Sequence, residues 1–139
     1  MRHSKQQPDY VAVARLRAAL RAFERASEDA ARAQGLTPQR YLLLLMVKGA
    51  PDGSGRALIG ELASRLQIAP HTVTGAVVRA EEAGLVRREP CREDRRRMWI
   101  SVTKEGERRL AAVAGALTRQ REELAAAVEE IARGGGTHR

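Results

Sequence analysis

Apolar residues recur at helical spacing near both ends of the chain. Residues 10–34 carry a stripe that alternates steps of three and four, formed by Val13, Leu16, Leu20, Phe23, Ser27 and Ala30. Residues 104–133 carry a second stripe, formed by Leu110, Val113, Leu117, Leu124, Val128 and Ile131. Each pattern predicts a long amphipathic helix. A core this small cannot cover both stripes, so we expect part of each helix to pack against a second subunit. An antiparallel pair of terminal helices within one chain is the alternative.

A second helix is predicted between Thr37 and about Lys48. Thr37 followed by Pro38 is typical of an N-cap and a first-turn proline. The run 41–47 is apolar nearly all round, so we expect this helix to lie buried in the middle of the domain. Gly35, just before it, can end the first helix in a left-handed conformation.

Two short helical patterns follow, separated by four residues. The first covers 59–66, and the second begins at Pro70 and stops at Gly84. Two helices joined by so short a turn are typical of a helix-turn-helix, although any two adjacent helices can imitate the pattern. In the second helix, small residues able to form hydrogen bonds face outward near the amino terminus, which suits a DNA major groove. The candidate DNA contacts are Pro70, His71, Thr72, Thr74, Gly75 and Arg79.

Two alternating segments, 85–89 and 98–103, predict the strands of a hairpin, and residues 56–58 could add a third short strand. Within 87–97 lie six arginines against three acids. A helix-turn-helix that leads directly into a hairpin with a basic tip is a winged helix, and such a tip can reach a minor groove. A solvated charged surface is the alternative. The candidate wing contacts are Arg92, Arg95, Arg96 and Arg97. We expect Asp94 to accept a guanidinium fork and stabilise the wing.

The composition of the chain limits its possible partners and its compartment. The chain has 139 residues, enough for one domain, and a net charge of +8 that favours an anionic partner such as double-stranded DNA. No run approaches the ~20 apolar residues of a membrane span, and no apolar segment follows the basic amino terminus. The single cysteine excludes an internal disulfide. We therefore expect a cytoplasmic protein without a membrane partner.

Catalysis finds little support in the sequence. The three histidines are scattered, and no metal-ligand cluster, phosphate-binding glycine loop or nucleophile with a base is visible. We expect no enzyme activity, no cofactor and no metal. Cys91 lies near Arg92, Arg95 and Arg96, which could favour its thiolate. A thiol-based, redox-responsive regulator is therefore one alternative, and an incidental loop cysteine is the other.

Three segments resemble the MarR family of bacterial transcriptional regulators: LTPQRYLLLLMV, IGELASRLQIAPHTVTGAVVRAEEAGLVRREP and EDRRRMWISVTKEGERRL. The most specific parts are AGLV before the wing, Asp-Arg-Arg at 94–96, and the stretch from Thr103 to Gly106. The resemblance implies a homodimer on a roughly palindromic operator, with recognition helix 70–83 in the major groove and wing 85–103 at the minor groove. It also implies a small-molecule effector, and by analogy we expect a repressor.

The predicted fold is mainly α with a small β-hairpin wing: a winged helix-turn-helix domain plus terminal dimerisation helices. The expected organisation is a disordered or extended arm at 1–9, a dimerisation helix at 10–34, the DNA-binding domain at 36–103, a carboxyl-terminal dimerisation helix at 104–133 and a disordered tail at 134–139. A winged-helix module that binds proteins without sequence-specific DNA binding is the alternative function.

Overall fold

The structure, a computed structural model, describes residues 8–134. In chain order, the elements of this part are α1 (Tyr10–Ala33), α2 (Pro38–Lys48), β1 (Arg56–Leu58), α3 (Ile59–Leu66), α4 (Pro70–Glu82), β2 (Val86–Pro90), β3 (Met98–Val102), α5 (Lys104–Gly115) and α6 (Thr118–Gly134). The three strands form one small antiparallel sheet. The predicted mainly α fold with a hairpin wing is confirmed.

Most of the predicted arm at 1–9 and tail at 134–139 lies outside the described residues. Within them, Asp9 accepts a hydrogen bond from the backbone N–H of Ala12 at 3.0 Å, which caps the start of α1. Gly134 is the last residue of α6.

The described residues form two compact units, one made of 8–27 and 117–134, the other of Glu28–Ala116. In the first unit, α1 and α6 are joined by an ion pair between Arg15 and Glu130 at 2.9 Å. Ala12 and Ala127 are buried there. Two residues of the predicted α1 stripe, Val13 and Leu20, are exposed.

Helix α2 begins as predicted. The Thr37 side chain accepts a hydrogen bond from the Arg40 N–H at 3.1 Å, and Gly35 adopts a left-handed φ of +72° before it. The expectation that α2 is buried all round is wrong for Leu42 and Leu45, which are 43% and 39% exposed. The helix carries apolar side chains on all sides, but the other elements of the chain do not cover these two leucines.

The second unit is organised around β3, the central strand in the order β1-β3-β2. Ile100 lies in the middle of β3, pairs with Ala57 on one side and Arg88 on the other, and is fully buried. The short strand expected at 56–58 is present, and the guanidinium of Arg56 stacks over the Trp99 ring at 4.0 Å. Strand β3 is therefore paired on both sides, and β1 anchors the hairpin through it.

The prediction of one continuous helix over 104–133 is wrong, because two helices occupy this range. α5 ends at Gly115, and the Ala116 N–H donates to the carbonyl groups of Ala112 and Val113 at 3.2 and 3.1 Å. Leu117, between the helices, is buried. The apolar stripe continues through the break, which is why the spacing did not reveal it.

Between residues 8 and 134, every helix is too short or too polar to cross a membrane.

Candidate nucleic-acid interface

Helix α4 presents the predicted contact residues on its outer side. Its inner side is anchored by Val73, Val77 and Ala80, all of which are buried. Of the six candidates, Pro70, His71, Thr74 and Arg79 are exposed, whereas Thr72 and Gly75 are half-buried. The Thr74 hydroxyl donates to the Pro70 carbonyl at 3.1 Å, so its oxygen lone pairs remain available to an outside donor.

The turn before α4 depends on Gln67, which has a left-handed φ of +58°. Just beyond it, the Ile68 N–H donates to the Ala63 carbonyl at 3.1 Å, which closes the end of α3. A non-glycine residue in this conformation is uncommon and strained by about 1 kcal/mol. Sequence reasoning did not identify Gln67, because glutamine carries no turn signal.

Asp94 organises the tip of the wing. Its carboxylate accepts hydrogen bonds from Nε and Nη2 of Arg96, at 3.1 and 3.4 Å, and from the Arg96 backbone N–H at 3.1 Å. These contacts with Arg96 hold the pKa of the Asp94 carboxyl below its usual range. The Asp94 carbonyl also accepts from the Arg97 N–H at 2.9 Å. The predicted guanidinium fork on Asp94 thus comes from Arg96.

The four candidate wing arginines are all exposed, but they differ in their partners. Arg96 is paired with Asp94, although 90% of its side chain remains exposed. Within residues 8–134, no ion pair is formed by Arg92, Arg95 or Arg97. Three guanidinium groups at the tip are therefore available to phosphate without first breaking an ion pair.

Arg88, on β2, links the wing to the recognition helix. Its Nε donates to the Glu81 carboxylate of α4 at 2.8 Å. Sequence reasoning missed this pair, since only the hairpin's return toward α4 brings residues 81 and 88 together. Both side chains are more than a third exposed, so the pair contributes little to stability and mainly orients Arg88.

Thr103 joins the base of the wing to the end of the recognition helix. Its hydroxyl donates to the Gly84 carbonyl at 2.7 Å and accepts from the Gly106 N–H at 3.1 Å. Its backbone N–H donates to the Leu85 carbonyl at 3.0 Å. The Cα of Gly106 packs so closely that an added Cβ would lie 2.5 Å from the Leu85 oxygen. The stretch from Thr103 to Gly106 is thus a structural junction.

Cys91 lies in the loop between the two wing strands, as predicted, but it is buried and only 5% exposed. Its sulfur lies 3.7 Å from the Glu93 carboxylate, and its N–H donates to the Arg97 carbonyl at 2.9 Å. The thiol therefore donates to a carboxylate, which does not favour loss of its proton in the way that a neighbouring arginine would.

A cavity of about 280 Å³ lies between the recognition helix and the wing. Its lining includes Thr74 from α4 and Arg88, Arg96 and Arg97 from the hairpin. Thr74 of α4 and the tip residues Arg96 and Arg97 thus border a common space. Within residues 8–134, no cluster of three or more His, Cys, Asp or Glu side chains is arranged to hold a metal ion.

Comparison with known proteins shows a similarity to one family over the central part of the chain. The family model described as MarR family matches residues 34–97, a span that includes α2, the helix-turn-helix and most of the wing. Over these residues the chain is similar to the MarR family. MarR-family proteins are transcriptional regulators.

Three known proteins are similar to this chain over most of its length. A protein of Thauera aromatica named as a transcriptional regulatory protein for the hcr operon is 28% identical over 118 residues, which are 85% of this chain and 69% of that protein. AbsC, a MarR family transcriptional regulator of Streptomyces coelicolor, has a TM-score of 0.65 at 24% identity and matches 88% of this chain and 84% of its own. A MarR variant from E. coli, solved with operator DNA, has a TM-score of 0.67 at 16% identity, over 87% of this chain and 90% of its own. At these identities the two structures support the fold.

Proposed function

We propose that this protein is a MarR-family regulator that binds double-stranded DNA with α4 in the major groove and the wing at the adjacent minor groove. The observation that carries the proposal is the common space bordered by Thr74 of α4 and by Arg96 and Arg97 of the wing. A helix that contacts base edges in the major groove and a wing that contacts phosphates can bind neighbouring parts of one duplex when they lie side by side. The DNA-bound E. coli MarR, which shares the fold, supports this arrangement. Its target, chromosomal DNA, would place the protein in the cytoplasm.

Binding of the full chain to a randomised duplex library, measured at several salt concentrations, tests the proposal. We expect sequence-selective binding that weakens steeply as salt rises, because phosphate contacts release counterions. Arg95→Ala and Arg96→Ala should each weaken binding to all sequences and reduce the salt slope by about 1. Arg119→Ala on α6 is the matched control, since it removes the same charge from a residue that belongs to neither the recognition helix nor the wing. Absence of binding to any duplex at low salt would favour the protein-interaction module.

Thr72 and Thr74 are proposed to contribute to sequence selectivity. Thr74 offers lone pairs to amino groups of bases, because its proton is already donated to Pro70. Thr72→Ala or Thr74→Ala should change the preferred sequence or remove a phosphate anchor. Replacement that leaves both affinity and preference intact would place these threonines outside the interface.

We propose further that the protein acts as a homodimer. The unit formed by α1 and α6 exposes large apolar side chains: Tyr10, Val11, Val13, Leu20 and Val128. Exposed apolar groups at helical spacing on two helices suit burial against a second copy. Sedimentation velocity should give a dimer for the parent and a shift toward monomer for Leu20→Glu. Glu24→Gln, a change at an exposed polar site of the same helix, is the control.

Repression and release by an effector complete the proposal. A dimer that occupies two major grooves blocks polymerase, so in vitro transcription from a template with the selected site should fall as protein is added.

The cavity between α4 and the wing is lined by Arg88, Arg96 and Arg97, which suits a small anion. An anion bound there would withdraw these side chains from DNA. A screen of small aromatic carboxylates for loss of duplex binding tests this step.

A further inference from the structure

The outer face of α4 has a gap at Gly75. Glycine inside a helix is unfavourable because it exposes the backbone and loses much conformational freedom on folding. Here the space above it is used: an added Cβ at Gly75 would lie 3.4 Å from Nη1 of Arg79. The guanidinium of Arg79 therefore occupies the position where a longer side chain at residue 75 would lie.

Helix geometry explains why these two residues meet. Residues four apart lie on the same face, and Cα–Cβ bonds lean toward the amino terminus of a helix. The Arg79 side chain accordingly runs back over the preceding turn and carries its guanidinium toward the amino-terminal half of α4. That half is the part of a recognition helix that contacts base edges.

The Arg79 guanidinium is also available for binding. Its side chain is exposed, and within residues 8–134 it forms no ion pair, in contrast to Arg88, which is paired with Glu81. Its planar set of N–H donors matches the O6 and N7 acceptors of guanine, the commonest specific contact in a major groove. On a helical wheel Gly75 lies near the middle of the face opposite the buried Val73, Val77 and Ala80. With α4 in the major groove as proposed, a group above Gly75 would point toward base edges.

We infer that Arg79 reads a guanine in the major groove, and that Gly75 is the positioning residue that leaves space for it on the helix surface. The inference rests on the proposed DNA-binding function. It assigns sequence specificity at one base pair of each half-site to this pair of residues.

The test starts from the duplex that the parent protein selects from a randomised library, with every single base pair then substituted in turn. One G·C pair in each half-site should be preferred over its substitutes by about 5- to 150-fold. Arg79→Ala should abolish that preference. Arg79→Lys should abolish it too while it keeps the parent's salt slope, because lysine retains the charge but has no planar fork.

Residue 75 provides a matched pair of variants. Gly75→Ala should keep the guanine preference, since 3.4 Å is an ordinary contact between a Cβ and the guanidinium. Gly75→Leu should abolish it, because the atoms beyond Cβ take the guanidinium's place. If leucine acts through Arg79, the double variant Gly75→Leu with Arg79→Ala should lose no more guanine preference than either single variant.

Four outcomes overturn the inference. In three of them the parent prefers no guanine, the guanine preference survives Arg79→Ala, or Gly75→Leu keeps the parent's base preferences. In the fourth, the losses of guanine preference in the double variant are additive, which would mean that leucine clashes with DNA directly. Selective duplex binding in any of these cases leaves the proposed function standing. Failure to enrich any duplex would overturn the proposed function and the inference together.

Discussion

The hydroxyl of Thr103 donates a 2.7 Å hydrogen bond to the carbonyl of Gly84, nineteen residues earlier in the chain. Gly84 follows the recognition helix and Thr103 follows the last wing strand, so this bond fixes the two proposed DNA-contacting elements to each other. Thr103→Val keeps the shape but leaves the Gly84 carbonyl and the Gly106 N–H without this partner. We expect a loss of about 1–2 kcal/mol in the free energy of unfolding.

Urea unfolding followed by the fluorescence of Trp99, the single tryptophan, measures this effect. Thr103→Ser retains the hydroxyl and should stay within about 0.5 kcal/mol of the parent. If valine and serine variants unfold at the same urea concentration, the hydroxyl does not stabilise the junction.

Gly106→Ala should be strongly destabilising. The new Cβ would lie 2.5 Å from the Leu85 carbonyl oxygen and 2.6 Å from Cγ1 of Val102, and the backbone oxygen cannot move aside cheaply. We expect a loss of at least about 2 kcal/mol, measured by the same unfolding experiment. Gly115→Ala is the matched control, because nothing lies within 4 Å of its added Cβ, and it should stabilise α5 by up to about 1 kcal/mol. Equal effects of the two alanines would contradict the close packing at Gly106.

Acid should weaken the start of α5 through Glu105. Hydrogen bonds from Arg108, and then from Arg109, lower the pKa of the Glu105 carboxyl from 4.5 to about 2. A carboxyl whose pKa is lower in the folded state contributes its stability above the unfolded pKa and loses it as pH falls through the folded value. The contribution is therefore complete above about pH 5 and disappears progressively between about pH 4.5 and 2.

The difference in urea midpoint between the parent and Glu105→Gln should be largest near neutral pH and shrink across that acid range. Glu122→Gln is the control, since Glu122 forms no ion pair among the described residues. A gap between parent and Glu105→Gln that is constant down to pH 2.5 would show that the carboxylate's charge is not involved.

Replacing Asp94 distinguishes two explanations of how the wing binds DNA. Asp94→Ala makes the protein more positive, so simple attraction to DNA predicts tighter binding. The wing geometry predicts the opposite, because Arg96 loses both the side-chain and the backbone contacts that position it. We expect duplex affinity to fall roughly two- to tenfold, about 0.4–1.4 kcal/mol, as measured by fluorescence anisotropy. Tighter binding by Asp94→Ala would mean that the tip acts only through its charge.

Peroxide should have little effect through Cys91. The thiol is buried and hydrogen-bonded to Glu93, whereas oxidation favours exposed thiolates. We expect Cys91→Ser and the parent to lose duplex affinity equally, if at all, after treatment with hydrogen peroxide. A peroxide-dependent loss of affinity confined to the parent would revive the thiol-based regulator.

Local signals predicted much of this fold. The stretch 59–66 coincides with α3, and Thr37 caps α2 as its position before Pro38 indicated. Hairpin strands and their arginine-rich connection were also predictable, since alternation and charge are local properties. For the same reason the outward residues of α4 could be named from a helical wheel.

Contacts between distant parts of the chain were not predictable. The bond from Thr103 to Gly84 and the pair of Arg88 with Glu81 exist only because the hairpin returns to α4. The break after Gly115 was hidden because the apolar stripe continues across it. The exposure of Leu42 depends on which other elements pack against α2. An apolar pattern on all sides of the helix does not predict which side stays uncovered.

The outer position of β2 in the sheet has a consequence for solubility. An unpaired strand edge invites edge-to-edge pairing between molecules, and proteins counter this with charged side chains and proline. Residues 87–90 of β2 are exposed and read Arg-Arg-Glu-Pro. Side chains that bring positive charge to the wing thus also keep two copies from aggregating through their sheets. Neutralising Arg87 and Arg88 together should make the protein more prone to precipitate at high concentration, even where no DNA is present.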